Sequence, residues 1–148
     1  MAATYTLISS NTLSASAASV TFSSIPATYT DLVIRLSARG DDSGTVLSGI
    51  YLVFNNDSGS TTTYSDTILS GSGTAATSSR DSSVGLMDTG YTNVGSTATA
   101  NTFSNAEIYI PSYTVSQSKP MSIFGVEENN ATTAYRSVVA GLYLSLIH

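Results

Sequence analysis

The sequence predicts an all-β protein, a two-sheet antiparallel β-sandwich of the jelly-roll type with about eight strands. Composition is the first observation: 27 serines and 21 threonines make up nearly a third of the 148 residues. Short hydroxyl side chains favour strands and turns over helices. The second observation is that apolar residues recur with the strand period of two and not with a helical period. A chain of this length without a linker or an internal repeat is expected to form one domain, 1–148.

The predicted strands follow one another at irregular spacing. The clearest is 31–39, in which Leu32, Ile34 and Leu36 share one face. A further segment, 64–69, fits either a strand or a helical turn. In chain order the predicted strands are 3–8, 19–25, 31–39, 49–55, 84–87, 103–110, 121–127 and 134–147.

The connection between the second and third predicted strands contains a proline, a tyrosine and an aspartate. Because proline cannot donate to a β-ladder, strand pairing is expected to stop at Pro26. Tyr29 is expected to lie half-buried and to anchor this crossing to the core through its ring. Asp31 is expected to accept a hydrogen bond from a nearby backbone N–H where the next strand begins.

Three segments rich in Gly, Asn, Asp and Ser, at 40–44, 55–60 and 71–83, are typical of turns. The third is of low complexity and is expected to be mobile. The first two offer oxygen atoms to a cation, but neither fits the calcium-binding loop that ends in a bidentate glutamate. We therefore expect no metal site.

Catalytic chemistry finds little support in the sequence. The single histidine, His148, is the last residue, and a chain end rarely holds a side chain in the geometry that catalysis needs. Cysteine is absent, and most carboxylates lie in predicted turns. Glu107 is the one acid inside a predicted strand, where an outward, solvated position is expected. The sequence thus predicts a protein that is not an enzyme and has no cofactor.

The charge pattern argues against nucleic-acid and membrane partners. The net charge is −5, Lys119 is the only lysine and the four arginines are scattered, whereas phosphate binding needs clustered cations. The longest apolar run, 138–147, is interrupted by Ser145 and is too short to span a bilayer as a helix. The beginning of the chain lacks the charged and apolar regions of a signal peptide. A soluble protein made in a cytoplasm is expected.

Several sequence blocks in a fixed order resemble a group of structural proteins from the virions of tailed bacteriophages, especially phages of cyanobacteria and marine bacteria. The specific block is IPATYTDLVIRLSAR, and the resemblance spans roughly residues 4–120. The supporting blocks are TYTLISS, SVTFSS, FNND, IYIPSY and KP. The resemblance implies a β-sandwich displayed on the particle, either as a decoration protein of the head or as part of a fibre or tail tip. It implies no catalytic residue.

The function expected from this resemblance is that of a capsid decoration (cement) protein, which binds the outer head surface and stabilises it. Its partners would be the major capsid protein or other virion proteins, and its location the virion, assembled in the host cytoplasm. The alternative is a fibre or tail receptor-binding module or a carbohydrate-binding module, which the nine tyrosines keep open. No coiled coil or other shaft precedes the first predicted strand, and this favours decoration.

A homo-oligomer is expected, most simply a trimer by analogy with other decoration proteins. The outward faces of 31–39 and 49–55 are more apolar than a solvated sheet requires. In 134–147 the leucine-rich face is expected to pack in the core and the opposite face to meet another subunit or the capsid. The expected interface residues are Val33, Arg35, Tyr51, Val53, Val139, Tyr143 and Ile147.

Overall fold

Eight strands form the framework of the protein, as seen in a computed structural model that describes residues 5–42, 44–59, 63–129, 132–145 and 147. Within these residues the chain is all-β, and no helix is present. In chain order the strands are β1 (Leu32–Leu36), β2 (Leu47–Leu52), β3 (Tyr64–Gly71), β4 (Ala76–Val84), β5 (Met87–Val94), β6 (Asn105–Ile110), β7 (Lys119–Asn129) and β8 (Thr133–Tyr143).

The strands pair into two antiparallel sheets. The larger has six strands in the order β1-β6-β7-β8-β3-β4, and the smaller consists of β2 and β5. Strands β6, β7 and β8 follow one another as neighbours, and β7 and β8 pair along their whole length, from Lys119 opposite Tyr143 to Asn129 opposite Thr133. The hairpin of β3 and β4 is added on the far side of β8. Strand β1 pairs with β6, so residues far apart in sequence close the other edge.

The core lies on one face of the six-stranded sheet, which we call the inner face. Alternation along each strand places every second side chain there, as the period-2 pattern of β1 predicts. Strand β5 packs across this face over β7 and β8. The rings of Tyr64 and Tyr143 are stacked with centroids 5.1 Å apart, and Phe54 lies 5.2 Å from Tyr143. The buried core residues are Leu32, Phe54, Tyr64, Met87, Ile108, Ile110, Tyr113, Met121, Ile123, Val139 and Tyr143.

Small residues in the middle of the inner face let β5 approach the sheet backbone closely. A β-carbon on Gly125 would overlap the carbonyl oxygen of Tyr91. A β-carbon on Gly141 would lie 2.7 Å from the Met87 sulfur, and one on Gly90 would lie 2.9 Å from the Ser137 β-carbon. These distances are too short for carbon atoms. Gly90 in β5 and the two glycines in β7 and β8 therefore set the spacing between the two sheets.

Parts of the strand prediction are wrong. Residues 5–8 and 19–25 form no strand, although their apolar residues alternate, because no neighbouring strand pairs with them in this chain. Residues 3 and 4 lie outside the described residues. The low-complexity segment 71–83 was expected to be mobile, but it forms the turn of the β3–β4 hairpin and most of β4. Strand β5 has no counterpart in the prediction, because most of its buried residues are polar or glycine.

The two faces of β8 are the reverse of the prediction. Val139 and Tyr143 were expected to face a partner, but each is only 1% exposed and lies in the core. On the opposite face, which points away from β5, Val138 and Leu142 are half-buried and Ala140 is exposed. The reason is steric: the face carrying Ser137 and Gly141 is the one that leaves room for β5. Ile147, also assigned to the interface, packs against the core, and Leu146 lies outside the described residues.

The crossing before β1 docks onto the turn after β6. The Tyr113 N–H donates to the Thr30 carbonyl at 3.2 Å, and the Tyr113 hydroxyl donates to the Pro26 carbonyl. Asp31 accepts the Ser112 N–H at 2.8 Å, which confirms the backbone hydrogen bond expected of it. Tyr29 is half-buried against the core, also as expected. The sequence blocks IPATYTD and IPSY therefore contact each other.

Residues 5–24, which we call the arm, precede this crossing. The arm forms no strand and every residue in it is exposed. One of its contacts is with β1, where the Arg35 guanidinium lies 5.3 Å from the centre of the Tyr5 ring. Its exposed large apolar residues are Tyr5, Leu7, Ile8, Leu13, Val20 and Phe22. The arm thus buries little of its apolar surface within its own subunit.

Substitution of Gly125 by alanine should destabilise the protein, because the added methyl group overlaps the Tyr91 carbonyl. Overpacking of this kind costs about 1–3 kcal/mol, and more where backbone atoms must move. Urea unfolding of the parent and the Gly125→Ala variant measures the loss. Gly59→Ala is the matched control, because a β-carbon there has no neighbour within 4 Å among the described residues. Equal stability of the two variants would contradict the close approach of β5.

Candidate functional site

The face of the six-stranded sheet that points away from β5, which we call the outer face, has no described strand packed over it. Its centre is apolar: Phe124 pairs with Val138, which in turn pairs with Leu69, so three apolar side chains form one row across β7, β8 and β3. Phe124, Leu69 and Val126 are among the most exposed large apolar residues outside the arm. The side chains on the outer face include those of Val33, Arg35, Leu69, Glu107, Tyr109, Phe124, Val126, Val138 and Leu142.

Charged groups surround this apolar row. Arg35 and Glu107 face each other across β1 and β6, with Nε and Oε2 2.9 Å apart. Both side chains are well exposed, so this ion pair contributes little to stability. The Arg136 guanidinium lies 5.8 Å from the centre of the Phe124 ring, within the range of a cation–π contact. Glu107 is therefore an outward strand acid, as expected.

Tyr109 ties the edge of the outer face to the crossing before β1. Its hydroxyl donates to Asp31 Oδ2 at 2.9 Å, and this hydrogen bond raises the pKa of the tyrosine. The Asp31 carboxylate thus receives the Tyr109 hydroxyl on one oxygen and the Ser112 N–H on the other. Charge-assisted hydrogen bonds of this kind hold a surface side chain in one orientation.

The expected interface residues do not form one surface. Val33 and Arg35 lie together on the outer face of β1. Tyr51 is 60% exposed, but it belongs to the β2–β5 sheet on the other side of the molecule, and Val53 next to it is half-buried. Val139 and Tyr143 lie in the core and Ile147 packs against it, so these three side chains are not offered to a partner by this subunit.

Sequence reasoning placed Val33 and Arg35 of the outer face at an interface, but it missed the apolar row on β7, β8 and β3, and it missed the arm. The signal for the outer face was present, because Phe124 and Val126 alternate with the buried Ile123 and Gly125. Which of two apolar faces is covered depends on where β5 lies, and this was not predicted. The two ends of the arm were assigned to strands. This happened because an exposed segment with alternating apolar residues has the same sequence pattern as an edge strand.

Arg39 is a further residue whose role sequence reasoning missed. Its guanidinium donates to backbone carbonyls of the loop between β5 and β6, at 2.8 Å for Thr99, 2.9 Å for Ser96 and 3.0 Å for Ala98. Glu128 accepts the Thr99 N–H of the same loop at 3.0 Å. Since backbone carbonyls need donors when they are removed from water, Arg39 holds this loop rather than offering its charge to a ligand.

The only lysine has a similar structural role. Lys119 is almost completely buried at the start of β7, and its ammonium donates to the carbonyls of Val115 and Gln117, the latter at 2.5 Å. The contact closes the turn that leads into β7. A buried ammonium is tolerated here because backbone oxygens replace its water shell.

Two buried carboxyl groups lie on the inner face. Glu127 in β7 is 3% exposed, and among the described residues neither of its oxygens makes a hydrogen bond of good geometry, although the backbone of Ser48 is close enough to favour the carboxylate. Burial raises its pKa from 4.5 to about 8, and the backbone of Ser48 offsets part of that rise. Burial also raises the pKa of Asp66 in β3 to about 6, although Asp66 accepts the Asp88 N–H at 3.3 Å. In both groups burial shifts the equilibrium toward the protonated form, because a charge is costly away from water.

The described residues also bear on metal binding and on membrane insertion. Across the described ranges, no three His, Cys, Asp or Glu side chains converge in a way that could hold a metal ion. Nor does the described part of the chain contain a helix long and apolar enough to cross a membrane. Comparison with protein-family models, with curated proteins and with solved structures finds no match.

Stability should fall as the pH rises, because Glu127 and Asp66 must ionise in the core. Each group binds its proton more tightly in the folded chain than in the unfolded chain. Its contribution to the free energy of unfolding is therefore fully present below its pKa in the unfolded chain and is lost as the pH rises through its pKa in the folded chain. For Glu127 this window runs from 4.5 to about 8, and for Asp66 from 3.8 to about 6. Within a window the slope per group is at most about 1.4 kcal/mol per pH unit.

The Glu127→Gln variant tests this expectation, since it keeps the shape but cannot ionise. Urea unfolding between pH 5 and pH 9 should show a shallower loss of stability in the variant and a higher stability than the parent at pH 9. Glu107→Gln is the control, because the exposed Glu107 should leave the pH dependence unchanged. If the free energy of unfolding falls equally with pH in the parent and in Glu127→Gln, the Glu127 carboxyl is solvated, and this would contradict its burial.

Proposed function

We propose that this chain is a non-enzymatic structural protein of a tailed-phage virion, a capsid decoration protein that binds the outer surface of the head and stabilises it. The observation that carries the proposal is the arm, an extended segment whose residues 5–24 are all exposed although six of them are large and apolar. Ordering a residue costs about 1–2 kcal/mol in backbone entropy, which contacts must offset. A neighbouring molecule supplies such contacts for the arm.

The outer face supports the same proposal. Exposed apolar side chains that form a continuous patch usually mark an interaction surface, whereas scattered ones do not. Phe124, Val138 and Leu69 form such a row, with the Arg35–Glu107 pair beside it. An apolar centre with a charged rim is the usual anatomy of a protein–protein interface. In this proposal the arm joins copies of the chain into a homo-oligomer, a trimer, and the outer face meets the major capsid protein.

The resemblance supports a place on a phage particle, either on the head or in a fibre or tail tip. It rests on blocks that build the scaffold, since IPATYTD and IPSY hold each other through Asp31, Thr30 and Tyr113. We also propose that the two sheets form a sandwich of the jelly-roll type. Its support is that β5 lies across β7 and β8 with a core between the sheets. The partition into six and two strands makes this sandwich a lopsided one.

The alternative, a receptor-binding or carbohydrate-binding module, has one observation in its favour. A cleft lined by tyrosines and hydroxyl groups separates the β2–β5 sheet from the β3–β4 hairpin. Such a cleft does not conflict with a place on the virion, because it lies on the side of the molecule opposite the outer face.

The role of the arm can be tested by sedimentation. The parent should form an oligomer at micromolar concentration, and a chain lacking residues 1–24 should be monomeric with an unchanged far-UV circular dichroism spectrum. A second variant keeps the length of the arm but replaces its large apolar residues by serine. The replaced residues are Tyr5, Leu7, Ile8, Leu13, Val20 and Phe22. A monomeric parent, or a serine variant that associates like the parent, would refute the oligomeric role.

Immunogold labelling of intact phage particles that encode the chain tests the location. The proposal expects label distributed over the head. Label at the tail tip or on fibres would contradict a role in head decoration and support the receptor-binding alternative. Particles that carry no label, confirmed by mass spectrometry of purified virions, would exclude a virion role altogether.

A further inference from the structure

The cleft between the β2–β5 sheet and the β3–β4 hairpin is a concave feature of the described residues that the proposed function leaves unused. Its volume is about 460 Å³, and a smaller recess of about 130 Å³ adjoins it at Ser70, Thr77 and Tyr91. Ligand pockets in proteins commonly measure roughly 300–1,000 Å³. The cleft is therefore large enough to receive part of a ligand rather than a single ion or water molecule.

The cleft follows from the way the two sheets pack. Strand β5 lies over β7 and β8, drawn close by Gly125 and Gly90. The inner face of β3 and β4 extends beyond it without a covering strand. Ser70 opposite Thr77 and Ile68 opposite Ser79 form the uncovered floor. Apart from Ala76 and the final Val84, β4 consists of hydroxyl and charged residues. The middle of β4 therefore has no apolar side chain that would need to be buried under another strand.

The lining favours a neutral ligand rich in hydroxyl groups. Serine and threonine hydroxyls both donate and accept hydrogen bonds, as sugar hydroxyls do. The Ser70 and Thr77 hydroxyls already bond to each other at 2.7 Å, which orients them at the cleft floor. The carboxylate of Asp88 adds a strong acceptor, one oxygen of which receives the Gly90 N–H at 2.8 Å. Carboxylates hold vicinal hydroxyls well because two oxygens can accept together.

Tyrosine rings supply the apolar part of such a site. Tyr51, 60% exposed, and Tyr91 line the cleft, and Tyr135 lines the recess. The rings of Tyr91 and Tyr135 meet edge to face, with centroids 5.9 Å apart and planes at 76°, which holds both in place. An aromatic face carries partial negative charge and attracts the slightly positive C–H groups on the flat side of a sugar ring.

Other ligand classes fit less well. Among the described residues that line the cleft and the recess there is no lysine or arginine, and Asp88 is an acid, so phosphates and sulfated or sialylated glycans would be repelled. A lipid or another apolar ligand would leave a floor of hydroxyl groups without hydrogen-bond partners, which is costly. A neutral sugar satisfies both the rings and the hydroxyls.

We propose that this cleft is a binding site for a neutral oligosaccharide, with Tyr51 and Tyr91 packing against sugar rings and Ser79, Thr77 and Asp88 forming hydrogen bonds to sugar hydroxyls. The inference goes beyond the structural role in the virion and does not depend on it. Tyr51, which the sequence assigned to a protein interface, becomes a ligand contact. A particle decorated with this chain would carry a sugar-binding site on each copy.

The first experiment presents the full chain to an array of neutral oligosaccharides, namely glucans, mannans, galactans, xylans and chitin fragments, together with sulfated and sialylated controls. Weak partners are then titrated by NMR at millimolar sugar. The site predicts saturable binding of at least one neutral class and none of the anionic controls. Failure of every neutral class to bind at millimolar concentration, or binding of anionic glycans alone, overturns the proposal.

Variants locate the binding. Tyr51→Ala should weaken the titrated sugar by about tenfold, which corresponds to about 1.4 kcal/mol, and Tyr51→Phe, which keeps the ring, should retain most of the affinity. Ser79→Ala should weaken binding, whereas Ser82→Ala, on the opposite side of β4, should not. All three positions are exposed, so folding should survive. Binding that Tyr51→Ala and Ser79→Ala leave unchanged lies elsewhere on the chain and overturns the proposal.

Sedimentation separates this inference from the proposed function. If Tyr51→Ala abolishes association of the chain and no sugar binds, the cleft is a contact between copies. If the chain lacking residues 1–24 loses association but still binds sugar, the cleft site stands whatever happens to the virion role. If the chain lacking residues 1–24 no longer binds sugar, the binding site lies on the arm and the proposal of a cleft site is refuted.

Discussion

The close approach of β5 to the backbone of β7 and β8 is the constraint on which the rest of the structure depends. Gly125 leaves room for the Tyr91 carbonyl, Gly141 for the Met87 side chain, and Gly90 sits against Ser137. Because protein interiors are close-packed, a single added methyl group at such a point moves a whole strand. This contact decides which face of the six-stranded sheet becomes the core. It also leaves the β3–β4 end of that face uncovered, where the cleft forms.

The layer between the two sheets is unusually polar for a small core. Thr89 and Thr92 in β5 are fully buried, with their hydroxyl oxygens 2.6 Å apart, and the Ser104 hydroxyl donates to the Thr92 carbonyl at 2.7 Å. These groups satisfy one another, so their burial is tolerated. Among the described residues Glu127 makes no hydrogen bond of good geometry, and its burial raises its pKa. Part of the core thus depends on hydrogen bonding and part on protonation.

The two candidate surfaces differ in chemistry as well as in position. The outer face and the arm offer apolar side chains, which suit contacts with other proteins. The cleft offers hydroxyls, tyrosine rings and one carboxylate, which suit a polar ligand. The outer face and the cleft lie on opposite sides of the molecule. The separation of the two by the thickness of the sheets lets one molecule use both.

The sequence by itself determined the all-β character, the alternation of β1 and the crossing from Pro26 to Asp31, because period-2 patterns and turn chemistry are local properties. Tertiary structure decided the rest. Strand β5 was not predicted because Thr89 and Thr92 become core residues only when they bond to each other, and polar residues carry no burial signal. The faces of β8 were reversed because both are apolar, and the choice was made by the room that Gly141 leaves for β5. The cleft could not be foreseen, since its walls belong to strands whose proximity depends on that same close packing.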